Sequence, residues 1–165
     1  MKKWFWGKPT VNVGKTGEDD ALATSMAQFG DIVENTTTFR QEEGSTESKK
    51  DEKGNTKKTK TSMGDWILEY DLFIDDLTLL GSVYEGDLST SGEETFETDG
   101  EIQLPDPYSF EVYGEEGIGV RVRKSDVTAR PEYTSDGGAV LHMKHIVTKP
   151  ATGKKFKWFK VGSGS

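Results

Sequence analysis

The residues able to do chemistry are few, and most are arranged against it. His142 and His145 are the only imidazoles in the chain, three positions apart. On a strand that spacing sends the two rings to opposite faces, so they read as ordinary strand residues and not as a metal pair. Val13-Gly14-Lys15-Thr16 ends like a phosphate-binding loop. The leading glycine would have to stand at position 9, which is Pro9, and Gly7 comes two positions too early. Asp75-Asp76 and Glu93-Glu94 are carboxylate pairs, explained more simply as a helix cap and a solvated loop. Asn35-Thr36-Thr37 matches a glycosylation acceptor, which without a secretion signal is coincidence. Trp4, Phe5 and Trp6 beside Lys2 and Lys3 have the types for base stacking or membrane anchoring, but docking on the chain's own core or on a neighbouring subunit fits them better. With no cysteine, disulfides, thiolate metal sites and cysteine nucleophiles are excluded. No constellation reads as an active site. We expect a non-enzyme without cofactor or metal.

The elements that would carry these residues are mainly strands. Residues 9–17 alternate at Val11 and Val13 and predict a short strand; residues 18–29 place Leu22, Met26 and Phe29 at helical spacing, after acids in the first turn and before Gly30. Residues 31–40 are rich in β-branched types, and residues 64–74 carry Trp66, Leu68, Tyr70 and Leu72 at period two, the strongest strand pattern in the chain. Leu77, Leu80 and Tyr84 then predict a short helix capped by Asp75 or Asp76. Residues 85–100 are acidic and read as a surface connection. Strands are expected at 108–113, 118–123, 127–133, 140–147 and 156–161, with valines and arginines on opposite faces at 119–123. Short strands at regular spacing indicate a sandwich or barrel.

Between the third and fourth of these elements, residues 41–62 contain no aliphatic or aromatic side chain. Such a segment cannot recover its ordering entropy by burial, and a loop of that length in a small domain is functional or disordered. The flanking strands make it the distal half of one long hairpin, with Lys53-Gly54-Asn55 as the turn tip. Its acids fall mainly in the first half and its lysines in the second, so the two strands are expected to pair across their charges.

Composition bounds the rest. At 165 residues, with 32% hydrophobic residues and 19 glycines, the chain predicts a single domain of thin strand-and-turn build. The domain is placed at residues 1–161, with 1–9 as an N-terminal arm, 41–62 as an extended hairpin loop and 162–165 as a flexible tail or tag remnant. The net charge is −8; residues 41–62 hold six lysines against five acids, a local +1, which leaves −9 on the body. Tight nucleic-acid binding is disfavoured, because phosphate neutralisation needs clustered Lys and Arg. The start MKKWFWGKPTVN has lysines like a signal peptide, yet its apolar run is three residues where a signal needs about 7–15. No membrane insertion is expected.

The order of features resembles the major tail tube proteins of long-tailed bacteriophages. The likeness is carried by Gly30-Asp31-Ile32-Val33-Glu34-Asn35-Thr36-Thr37-Thr38-Phe39, the stretch around Asp51-Glu52-Lys53-Gly54-Asn55, then Trp66-Ile67-Leu68-Glu69-Tyr70-Asp71-Leu72 and Leu77-Thr78-Leu79-Leu80-Gly81. In the second half it is carried by Val120-Arg121-Val122-Arg123-Lys124-Ser125-Asp126-Val127-Thr128-Ala129 and the hairpin that follows. It spans most of residues 10–161 and is one of layout, without an invariant motif; Trp4-Phe5-Trp6 has no place in it. The resemblance implies two packed antiparallel sheets (β-sandwich or barrel) with one or two short helices and a long charged hairpin arm. It also implies a structural virion protein that self-assembles into hexameric rings, stacked into a tube through which DNA is ejected without specific binding. The partners implied are further copies of the chain and the tape measure, tail terminator and baseplate proteins; the place is the virion tail, assembled in the bacterial host cytoplasm.

On this reading the contacts between rings and subunits fall to Glu42, Glu43, Glu47, Lys49, Lys50, Asp51, Glu52, Lys53, Lys57, Lys58 and Lys60 of the hairpin, together with Trp4, Phe5 and Trp6. The tube subunits of contractile injection and type VI secretion systems share the fold. A reading from another class is a monomeric β-sandwich binding module for carbohydrate or a receptor, with Trp4, Trp6 and Trp158 as stacking residues.

Overall fold

Nineteen residues, Glu116–Thr134, form one strand that belongs to both layers of the molecule. The computed structural model describes residues 5–6, 8–102 and 107–162. In chain order the strands are β1 (Phe5–Trp6), β2 (Thr10–Lys15), β3 (Thr38–Gln41), β4 (Ser45–Lys50), β5 (Thr56–Ser62) and β6 (Trp66–Phe73). After the helix α1 (Leu77–Val83) come β7 (Tyr84–Ser89), β8 (Thr95–Ile102), β9 (Tyr108–Tyr113), β10 (Glu116–Thr134), β11 (Gly138–Val147) and β12 (Phe156–Lys160). The class is mainly β and antiparallel, as the sequence predicts.

The first half of β10 lies between β9 and β12, with Val120 opposite both Val112 and Trp158. Its second half pairs with β11 from Ser125 opposite Val147 to Thr134 opposite Gly138. The register against β9 shifts between Val122 and Ser125, a β-bulge that bends the strand. The strands form one continuous sheet, β2-β9-β10-β11-β6-β3 with β1 and β12 also on β10, and the bend of β10 divides it into two layers, β2-β9-β10-β12 and β10-β11-β6-β3. Two separate strands at 118–123 and 127–133 are expected from the sequence. Lys124-Ser125-Asp126 is instead the bend of a single strand, because Ser125 is buried and donates its hydroxyl to the Tyr108 carbonyl at 2.8 Å.

The core is the space between the layers. Period-two alternation buries Leu68, Tyr70 and Leu72 from β6, Val120 and Val122 from β10, Leu141 and Met143 from β11, and Phe110 and Val112 from β9. Phe39 links the layers: its ring lies 5.9 Å from Phe110, 6.3 Å from Phe156 and 5.5 Å from Trp66. Arg121, on the outer face of β10, bonds Glu111 at 3.1 Å and sits 4.1 Å over the Phe159 ring.

Three local expectations are corrected. Residues 18–29 are not a helix; a 3-10 turn at Glu18–Asp20 is followed by extended chain. Asp19 and Asp20 take φ of 54° and 58°, and the Asp20 carboxylate accepts from the Ala151 amide and the Lys124 ammonium. The backbone beyond is taken by Ser109, which accepts from the Ala23 amide, and by Val13, which exchanges hydrogen bonds with Ala27. Gly14 permits this crossing, since a Cβ there would overlap the Ser25 carbonyl oxygen. Residues 31–40 are not one strand. Ile32 bridges Leu72, the chain turns at Asn35 with φ 64°, and β3 starts only at Thr38. In α1 the buried side chains are Leu79 and Val83, an i, i+4 pair, and not Leu77. Asp76 caps the helix, its carboxylate accepting from the Thr78 amide at 2.9 Å.

Candidate assembly surfaces

The hydrophobe-free segment folds as the outer half of a hairpin that begins in the core. β3 pairs with β6 from Thr38 opposite Glu69 to Gln41 opposite Trp66. The Glu42 amide then donates to the Asp65 carbonyl, and β4 pairs with β5 from Ser45 opposite Ser62 to Lys49 opposite Lys58 without a change of register. Between the two ladders is a glycine neck. A Cβ at Gly44 would overlap the Ser62 carbonyl oxygen, and one at Gly64 the Glu42 carbonyl oxygen, so the two backbones meet where only glycine fits. Arg40 braces the inner side of this neck, donating to Glu69 at 2.9 Å and Glu42 at 3.1 Å.

The tip is built by Asp51. Its carboxylate accepts from the amides of Lys53 and Asn55, each at 2.9 Å, and lies 3.6 Å from the Lys57 ammonium. The Asn55 amide, then that of Lys53, holds the carboxyl below its ordinary range. Gly54, with φ 84°, supplies the left-handed residue of the turn, at the tip expected from the sequence. From Glu42 to Met63 every residue except Asp51 is exposed.

The predicted contact residues thus fall into three groups. Glu42 and Glu43 lie at the neck, Asp51, Glu52 and Lys53 at the tip, and Glu47, Lys49, Lys50, Lys57, Lys58 and Lys60 along the strands. Charge pairing across the strands is only partly as expected. Glu47 lies opposite Lys60, but Lys49 lies opposite Lys58, a like-charged pair. The two-residue period puts these four on one face and leaves Thr46, Ser48, Thr59 and Thr61 on the other. Of the aromatic opening, Trp4 lies outside the described residues, as do residues 163–165. Phe5 and Trp6 form β1, opposite Gly117 and Glu116 at the start of β10. Trp158 is half exposed and packs against Phe39, Trp66 and Phe156.

A second exposed hairpin stands where a featureless connection is expected. β7 and β8 pair from Gly86 opposite Thr98 to Ser89 opposite Thr95. From Glu85 to Ile102 every residue except Phe96 is exposed. Leu88 faces Phe96 across the strands, and Phe96 packs against the core beside Gly81. Asp87 faces Glu97 on the other side of the hairpin. Leu88 with Phe96 near the tip and Tyr84 with Ile102 at the base are its apolar cross-strand pairs, and between them the sequence is acidic.

The histidines take the opposite faces expected. His145 is buried; His142 lies at the surface with Nδ1 2.5 Å from Asp71 and Nε2 2.6 Å from Glu132. Glu132 first, then Asp71, raises the His142 pKa above its ordinary value. Among the described residues no cluster of His, Asp or Glu has the geometry to hold a metal, and no helix is long and apolar enough to cross a membrane. Val13-Gly14-Lys15-Thr16 is no phosphate cradle: Val13, Gly14 and Lys15 are in β2, paired with β9. Compared with protein-family models and with curated proteins, the chain matches none.

Proposed function

We propose that the chain is a structural subunit that self-assembles through its hairpin arm, as the tail tube protein of a long-tailed phage does: rings of subunits stacked into a hollow tube through which DNA passes. The observation that carries this reading is the arm itself. A two-stranded hairpin of polar residues is marginal in water on its own. Here it is held out from the core in the register of β3 and β6 as far as Lys49 opposite Lys58, exposed at every residue but Asp51, where the covering surface of a neighbour would complete it. The antiparallel body, one sheet curled into two layers beside a short helix, is compatible with the two packed sheets that the resemblance implies. β3 and β12 each pair with one strand only, while β2 is closed at Val13 by Ala27; open edges are liabilities in a monomer but contacts in a closed ring. An acidic body, at −9 outside residues 41–62, suits a conduit for DNA, since like charges repel. The same argument holds for tube subunits of contractile injection and secretion systems.

Negative-stain electron microscopy of the purified chain tests the proposal. Rings or tubes are expected at high protein concentration. Replacing residues 41–62 by a short turn is expected to leave a folded subunit that no longer stacks. Long tubes from the deletion variant would remove the arm from its assigned role, and a strict monomer at all concentrations would remove self-assembly altogether.

A further inference from the structure

The two exposed hairpins carry opposite charge. Residues 45–62 hold six lysines and three acids, a net +3, and residues 84–102 hold seven acids and no base, a net −7. Each hairpin also opposes like charges across its own strands, Lys49 to Lys58 in one and Asp87 to Glu97 in the other. Such pairs destabilise the hairpin that contains them. A counter-charged surface laid against either would relieve that repulsion. Within one chain they do not serve each other, because β4 and β5 pack on each other and share no extensive contact with β7 and β8.

We infer that the lysine-bearing face of β4 and β5 docks on the acidic face of β7 and β8 of a second copy of this chain. The faces are defined by register. Lys49, Lys58 and Lys60 share one side of the arm, with Glu47 as its only acid, while Asp87 and Glu97 share the side of the other hairpin that is turned away from Leu88 and Phe96. The occupant is a second copy because each chain carries both halves of the contact. An arm given to one neighbour leaves an acidic hairpin open to another, so the contact is heterologous and propagates. Both surfaces are exposed, so the attraction acts mainly on encounter rate and choice of partner and weakens with salt. The inference rests on the self-assembly reading in that the partner is another copy; it adds which surface receives the arm.

The test uses two charge-reversed full-length chains, K49E/K58E/K60E and D87K/E97K, each checked for native folding by circular dichroism. Sedimentation and electron microscopy then report association of each alone and of a one-to-one mixture, at low and at 0.5 M salt. In the first variant residues 45–62 fall from +3 to −3, so the arm turns acidic; in the second, residues 84–102 rise from −7 only to −3, but the receiving face itself presents two lysines in place of Asp87 and Glu97. Each alone is expected to lose association, and the mixture to regain it as alternating copies, more weakly at high salt. Variants that each associate like the parent chain overturn the inference and leave self-assembly standing. Variants that fail both alone and when mixed, beside a parent that associates, also overturn it. A parent chain that never associates overturns both readings.

Discussion

The phenol oxygen of Tyr70 meets Nε2 of His145 at 2.8 Å, with both side chains cut off from solvent and their rings stacked at 5.5 Å. Burial keeps the phenol protonated, so Tyr70 donates and His145 accepts at Nε2. Nδ1 then carries the imidazole proton and faces the Ser125 hydroxyl at 3.4 Å, which donates onward to the Tyr108 carbonyl. This chain of polar groups crosses β6, β11, β10 and β9 at the bend of β10. It satisfies each member in the order a neutral histidine allows.

Acid should therefore weaken the fold through His145. Burial holds its imidazole down at about 3, against an ordinary 6.5. A folded value below the unfolded one means that the unfolded chain takes the proton first. The contribution is complete above about 6.5 and is lost as pH falls toward 3, at about 1.4 kcal/mol per pH unit. His142 acts in the opposite sense: its folded value is raised, so its contribution is complete below the ordinary value and lost as pH rises through the elevated one. Calorimetry from pH 7 to pH 4 should show a falling midpoint, flattened in His145→Gln and steepened in His142→Gln. An unchanged slope in His145→Gln would assign the acid response to the carboxylates.

Removing the hydroxyl of Ser125 leaves the Tyr108 carbonyl without that donor at the bend of β10. Ser125→Ala should cost about 1–3 kcal/mol, the usual penalty for a buried polar group left unsatisfied. Urea denaturation measures it, and a loss below about 0.5 kcal/mol would mean that water or the bend itself compensates.

Phe39 is the ring that both layers touch. Phe39→Ala should destabilise by about 3–5 kcal/mol, within reach of the whole stability of a small domain. Phe39→Leu should retain most of it. Denaturant midpoints of the two variants check this, and equal losses would mean that ring geometry matters more than filled volume.

At the neck the expected effect is local. Gly44→Ala and Gly64→Ala force apart backbones that meet there, so trypsin should cut the lysines of β4 and β5 faster than in the parent chain. The midpoint of the body should stay within a few degrees. Unchanged proteolysis with a lowered midpoint would place the strain in the core instead.

What could be read beforehand follows from where the determinants are local. The alternation of Trp66, Leu68, Tyr70 and Leu72 specifies β6 without help, and Lys53-Gly54-Asn55 marks a turn by the backbone it needs. The outer hairpin is legible because β3 and β6 bracket it. Residues 18–29 are misread because Leu22, Met26 and Phe29 satisfy a helical period while the backbone there serves Ser109 and Val13, far away in sequence or in another strand. Residues 85–100 are misread because the hairpin there rests on only two apolar cross-strand pairs, Leu88 with Phe96 and Tyr84 with Ile102, too far apart to make a hydrophobic pattern. The Tyr70–His145 contact joins residues 75 positions apart, and no spacing rule reaches that far.

The constant register from Thr38 to Lys49 along the long hairpin makes the arm a geared lever up to the bulge below its tip. A pull on its tip cannot be absorbed by sliding, since a slip of one residue at Lys49 would have to travel down to Thr38 and turn Phe39 out of the core. The neck can bend or twist, but it cannot pay out length. Load reaching the tip is thus carried in shear by the ladder of β3 and β6, so the strand pair that anchors the body also fixes the reach of the arm.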